Sequence, residues 1–190
     1  MEAARPSRRR ESPSEKRERR AAVDDPQIVL DAAARFLEAR QRSVAEVRRR
    51  LRGAGYRHDL VDGAIDRLLE LGILDDEAFA QAWVESRDRA RPRGERAIRD
   101  ELRMKGIDRA TIDTVLENRR RAEGAEPDRD AAERLIERNA RSLARVADPR
   151  QRRTRAYALL ARNGFDPDVC REVAARFMEL GDPETAPESR

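Results

Sequence analysis

"ILDDEAFAQAWVESRDRARPRGERAIRDELRMKGI", residues 73–107, decides the fold. Asp75 and Asp76 stand where a helix begins, because a short carboxylate accepts hydrogen bonds from first-turn amides and complements the dipole there. Phe79, Ala82, Trp83 and Ser86 recur at three-to-four spacing, which predicts a helix with that face buried. "RPRG" at 91–94 breaks it, since the residue before a proline is driven from helical geometry and glycine loosens the chain. A second helix carries Ile98 and Leu102 inward, and Gly106 ends it as a left-handed C′ residue.

The same punctuation returns on both sides. Leu51-x-x-x-Gly55, Leu102-x-x-x-Gly106 and Leu160-x-x-x-Gly164 share one spacing, 51 and then 58 residues apart. Beyond each glycine an apolar stripe recurs at matching offsets: Val61, Ala64, Ile65, Leu68; Ile112, Val115, Leu116, Arg119; Cys170, Val173, Ala174, Phe177. Only Arg119 interrupts it, so the helix there is expected to end early. Asp25-Pro26, Asp148-Pro149 and Asp166-Pro167 place a capping carboxylate before an N1 proline, and Ser43-x-x-Glu46 reads as a capping box. No stretch reads as a strand.

The expected fold is therefore all-α: three tandem three-helix repeats, at 25–74, 75–125 and 126–181. A unit of about 50 residues buries little surface alone, so the repeats are expected to stack into an elongated, curved array. Residues 1–24 and 182–190 read as disordered tails.

Across the 190 residues, 42% are charged, 38% hydrophobic and 4% aromatic, which suits thin amphipathic helices better than one large core. The formal charge is +4, and Lys16 and Lys105 are the only lysines among the basic residues. Arginine is suited to bidentate contact with carboxylate or phosphate. Cys170 is the single cysteine, which excludes an internal disulfide and a cysteine metal cluster. No apolar run approaches the 18 or so residues of a membrane span and no signal-peptide core appears, so a soluble, cytoplasmic protein is expected.

Catalytic chemistry has little to stand on. His58 is the only histidine, at a helix start between Arg57 and Asp59, where a surface or capping role is the better reading. Cys170 falls in a buried register, as an inert core thiol does. The acidic run Asp75–Asp76–Glu77 diverges around a helix and reads as a cap. No phosphate-cradling glycine loop is present. No enzyme, cofactor or metal site is expected.

Charge placement says more. Residues 40–57 hold seven arginines and one acid, 87–105 eight basic and four acidic residues, and 138–162 eight arginines and one acid. Each excess lies on or beside the middle helix of a repeat. Arg48 and Arg52 sit seven and three residues before Gly55; Arg99 and Arg103 sit at the same offsets from Gly106. Like charges four apart repel by roughly 0.2–0.5 kcal/mol, and a cost repeated in register suggests an anionic partner that offsets it. In the third copy those offsets hold Tyr157 and Ala161, and the charge moves to Arg150, Arg152, Arg153 and Arg155. The expected partner-binding residues are Arg48, Arg52, Arg99, Arg103, Lys105, Arg152, Arg153 and Arg155.

"LDDEAFAQAWVESR", followed by "EL..KGI" at this spacing, resembles the central signature of the RecX family of recombinase regulators. The resemblance runs from about Gln27 to Arg121 and extends weakly to about Glu179. The arginine-rich N-terminal tail is not part of the family's pattern. The resemblance implies a protein that binds the RecA–DNA nucleoprotein filament and suppresses its ATP hydrolysis and strand exchange, with DNA phosphates as a secondary contact, no membrane, and a monomeric state. A helical protein acting directly on DNA is the alternative, because three-helix units with basic second helices resemble helix-turn-helix modules. Against it, no helix carries the side-chain mix that reads base edges. A purely structural helical adaptor would explain the repeats but not the matched charge pairs.

Overall fold

The computed structural model describes residues 11–122 and 126–180. Within them the chain forms ten helices and no strand: α1 Pro13–Ala21, α2 Pro26–Leu37, α3 Val44–Ala54, α4 His58–Glu70, α5 Asp76–Ala90, α6 Glu95–Met104, α7 Arg109–Ala122, α8 Pro127–Ala144, α9 Pro149–Arg162 and α10 Pro167–Leu180. From α2 onward these are three tandem sets of three. Two compact units hold them, Met1–Asp75 with the first set and Asp76–Arg190 with the second and third.

In the first unit α2, α3 and α4 close on Val29, Val47, Leu51, Val61, Ile65 and Leu68, all almost fully buried. Asp25 accepts from the Gln27 amide at 2.9 Å and Ser43 from the Glu46 amide at 3.1 Å, so the cap signals start α2 and α3 where expected. α3 then stops at Gly55, whose φ of 103° an L side chain rarely adopts. Gly106 and Gly164 hold the same left-handed geometry after α6 and α9. The three leucines four residues before these glycines, Leu51, Leu102 and Leu160, are at most 2% exposed.

In the second unit Ile98, Leu102, Ile107, Ile112, Val115 and Leu116 form the core of α5–α7, and Leu160, Phe165, Cys170, Val173 and Ala174 lie in that of α8–α10. The two sets are joined by backbone contact. The Gly94 amide donates to the Asn163 carbonyl at 3.0 Å, and a Cβ on Gly94 would lie 2.3 Å from the Gly164 oxygen. Arg138 donates to the Ala90 and Arg89 carbonyls at 2.7 and 2.9 Å, satisfying the open end of α5.

Three expectations are corrected. The predicted tail 1–24 is helical over Pro13–Ala21: Ser12 and Glu15 form a reciprocal capping box, and Pro13 occupies the first turn. Residues 1–10 and 181–190 lie outside the described residues. Second, α5 buries Phe79, Ala80, Val84 and Asp88. Ser86 is exposed, and Trp83 sits half-buried at the edge, where its Nε1 donates to Glu101 at 2.8 Å. An indole with a polar edge belongs at such a boundary. Third, α7 does not end at Arg119 but continues to Ala122, because Arg119 is buried and fully paired.

Candidate functional site

The matched arginines have their counter-charge inside the protein. Arg48 Nε donates to Asp62 at 3.2 Å, and Arg52 Nη2 donates to both oxygens of the same carboxylate at 3.1 and 3.0 Å. Asp62 stands seven residues past Gly55, on α4. Asp113, seven past Gly106 on α7, does the same for Arg99, which is also bonded to Glu95 at 3.1 Å. The repulsion inferred from spacing along one helix is thus offset by a carboxylate on the next. In the third set the corresponding residues are Tyr157 and Arg171, and Arg171 pairs with Asp168 instead.

The Asp113 carboxyl is held below the ordinary carboxylate range, first by the hydrogen bond from Arg99 and then by charge from Arg99 and Arg109, against some desolvation. A lowered folded-state value means this stabilisation is present above the unfolded value of about 3.9 and fades as pH falls through the folded one. Replacing Arg99 with alanine should move the Asp113 titration, followed by carboxyl NMR, upward toward about 3.9. An unmoved titration would remove Arg99 as the cause.

The remaining expected residues are set differently. Arg103 is exposed and reaches Asp100 at 3.3 Å. The Lys105 ammonium lies 4.8 Å from the Trp83 ring centroid, and the Arg87 guanidinium lies 4.3 Å from it, a doubly cationic aromatic platform. Arg152 is half-buried, with Nε donating to the Val146 carbonyl at 3.0 Å, so it holds the α8–α9 turn. Arg153 and Arg155 are exposed on α9. Arg153 also borders a hollow of about 230 Å³ with Tyr157 and Arg171. Arg48 and Arg52 belong to the first unit and the other six to the second.

The most buried arginine among the described residues is one the sequence misread. Arg119 donates through Nε and Nη2 to Asp88 at 3.0 and 2.8 Å and through Nη1 to Asp128 at 2.7 Å. Asp128 also accepts from the Glu95 amide at 3.1 and 2.9 Å, so one carboxylate ties α8 to both α6 and α7. Burial pulls the Arg119 guanidinium down, but its hydrogen bonds to Asp88 and Asp128 outweigh it and leave it more basic than usual. This is a joint between the second and third sets. A hollow of about 150 Å³ lies beside it, lined by Asp88 and Arg119 together with Gln81, Val84 and Val115.

Cys170 is buried, its thiol pushed up by desolvation and donating to the Phe165 carbonyl at 3.6 Å. His58 is exposed at the first position of α4. Among the described residues no cluster of three or more His, Cys, Asp or Glu is placed to hold a metal ion, and no helix is long and apolar enough to cross a membrane.

Comparison with known proteins places these repeats. The family descriptions "RecX, first three-helix domain", "RecX, second three-helix domain" and "RecX, third three-helix domain" match residues 30–68, 75–116 and 126–174, in that order. "Regulatory protein RecX" of Mycobacterium avium (strain 104) is 36% identical over 139 residues, covering 73% of this chain and 78% of its own. The protein of the same description from Mycobacterium leprae (strain Br4923) is 35% identical over 146 residues, covering 75% and 82%. The crystal structure of RecX from Lactobacillus salivarius superposes with a TM-score of 0.70 over 83% of this chain and 98% of its own, at 22% identity, and so supports the fold. With all three helical domains present in order and more than a third of aligned residues shared with a mycobacterial regulator, the chain belongs to the RecX family of regulatory proteins.

Proposed function

We propose that this protein regulates homologous recombination by binding the RecA–DNA nucleoprotein filament and restraining its ATP hydrolysis and strand exchange. Membership of a regulatory family across all three helical domains is the observation that carries the reading. The charge distribution supports it, since each middle helix exposes arginines: Arg49 and Arg50 on α3, Arg96 and Arg103 on α6, Arg153 and Arg155 on α9. Exposed cations set partner choice and encounter rate more than final affinity. Arg103, Lys105, Arg153 and Arg155 are the filament-facing residues of the second unit. Arg48, Arg52 and Arg99 contribute less, because each is half-buried against a carboxylate on the following helix, whereas Arg103 is exposed and meets only Asp100 of its own helix.

The test is the RecA ATPase on single-stranded DNA. Arg103, Arg153 and Arg155 changed together to alanine should fold as the parent does, since exposed substitutions usually shift stability by no more than about 0.5 kcal/mol each. The variant should inhibit hydrolysis markedly less, with most of the loss in association rate and a weaker dependence on salt. A folded variant that inhibits like the parent would reject this surface. A parent chain that leaves hydrolysis untouched would reject the function.

A further inference from the structure

Ser14 borders a basic groove in the first unit, between α1 and α3. Five cations line it, Lys16, Arg17 and Arg20 from α1 and Arg49 and Arg50 from α3, around a space of about 970 Å³. Glu15 and Glu18 of α1 lie outside the groove, so the helix turns its positive side inward. Among the described residues Lys16, Arg17, Arg49 and Arg50 form no ion pair, unlike Arg48 and Arg52; Arg50 lies 5.6 Å from the Phe36 ring centroid instead. The one acid of the lining, Glu46, is bonded twice by Arg40, at 3.2 and 3.4 Å. Cations left unpaired around an open trough repel one another, and an anion set among them removes that cost.

Ser14 is the hydroxyl residue of this lining. It is exposed, and its Oγ lies 3.0 Å from the Ser12 Oγ. Ser12 is placed differently. It is half-buried and committed to the cap of α1, accepting from the Glu15 amide at 3.2 Å while its own amide donates to the Glu15 carboxylate at 2.6 Å, so a dianion there would face that carboxylate. Access to Ser14 is not costly. The α1 helix buries no residue and is held through Arg20, which donates to the Ala54 carbonyl at 3.3 Å and lies 5.7 Å from the Tyr56 ring centroid. A helix without buried side chains opens locally at little cost. Basic residues flank the serine on both sides, Arg8, Arg9 and Arg10 before it and Lys16 and Arg17 after, which suits an enzyme with an acidic substrate cleft.

We propose that Ser14 is a phosphorylation site whose phosphate seats in the α1–α3 groove and withdraws Arg49 and Arg50 from the partner surface. A separate protein kinase supplies the group from a nucleoside triphosphate. The Ser14 Oγ bonds to the γ-phosphorus as the bond to the β-phosphate oxygen breaks, the nucleoside diphosphate leaves, and the hydroxyl proton passes to a base of the kinase. The phosphoserine carries up to two negative charges and three acceptor oxygens, and charge-assisted bonds from the guanidinium groups then tie α1 to α3. The seat stands on the groove alone, whereas its effect on inhibition rests on the filament reading.

The full chain with phosphoserine installed at residue 14 by codon reassignment is followed by phosphorus NMR through a pH titration. The second ionisation of the phosphate, near about 6 when free, should lie roughly 0.5–1 pH unit lower in the folded chain than in the same chain in urea. Arg49→Ala with Arg50→Ala should return it to the urea value, and unfolding curves should show this variant folded, since both arginines are exposed. The phosphorylated chain should associate with the recombinase filament on the order of threefold more slowly than the unmodified one, and in the double variant phosphorylation should make no difference. Mass spectrometry of the chain recovered from its own cells, grown with and without DNA damage, should find phosphate on Ser14. Equal ionisation in folded and unfolded chains overturns the seat. Equal association rates with the ionisation lowered overturn the withdrawal of Arg49 and Arg50, and an unmodified Ser14 under both growth conditions overturns the modification. A parent that inhibits the recombinase while the ionisation stays put sinks the groove alone; a lowered ionisation with a parent that does not inhibit sinks the filament reading alone.

Discussion

Replacing Arg119 with leucine is expected to destabilise the second unit by about 3–5 kcal/mol, the cost typical of breaking a buried ion pair from one side. The side chain is 4% exposed and its partners Asp88 and Asp128 are 9% and 21% exposed. Leucine leaves the Asp88 carboxylate buried without a donor, and that orphaned charge accounts for most of the loss. Urea denaturation of parent and variant measures it. The double variant Asp88→Leu with Arg119→Leu should recover a large part of the stability, because apolar groups of similar size commonly replace a buried pair at little cost. A single variant within about 1 kcal/mol of the parent would mean that water reaches Asp88 freely.

Leu102→Ala should cost about 2–5 kcal/mol, combining lost transfer energy with a cavity that its neighbours fill only in part. Leu102 is fully buried among Ile98, Ile107, Ile112 and Leu116. Two residues on, Met104 is 72% exposed, and Met104→Ala should stay within about 0.5 kcal/mol by the same measurement. Equal effects at the two positions would put the inward face of α6 in the wrong place.

Much of this fold is written in short-range chemistry. Gly55, Gly106 and Gly164 announce three left-handed helix ends, and capping residues such as Asp25 and Ser43 announce starts, because each acts within one turn of itself. α1 was legible by the same rule: Ser12-x-x-Glu15 with Pro13 is a capping box before a first-turn proline, obscured by the absence of any apolar stripe. The pairings were not legible. Nothing within α3 shows that Asp62, on the following helix, would share Arg48 and Arg52, and nothing in α7 shows that Asp88 and Asp128 would make Arg119 a core residue. A charge in an apolar register reads as an interruption until its partners, 31 and 9 residues away, are located in space. The candidate surface was therefore legible as a set of basic helices, while the side of α3 left without counter-charge, Arg49 and Arg50, depended on tertiary structure.

The Arg119 joint also bears on the order in which the chain is made. Asp88 and Arg119 leave the ribosome before Asp128, and synthesis adds only about 5–20 residues per second. For that interval the guanidinium has one of its two carboxylates, and the Glu95 amide lacks the acceptor it will later share. The second set of helices is thus completed only when α8 arrives, so the nascent chain matures in steps that do not coincide with its repeats.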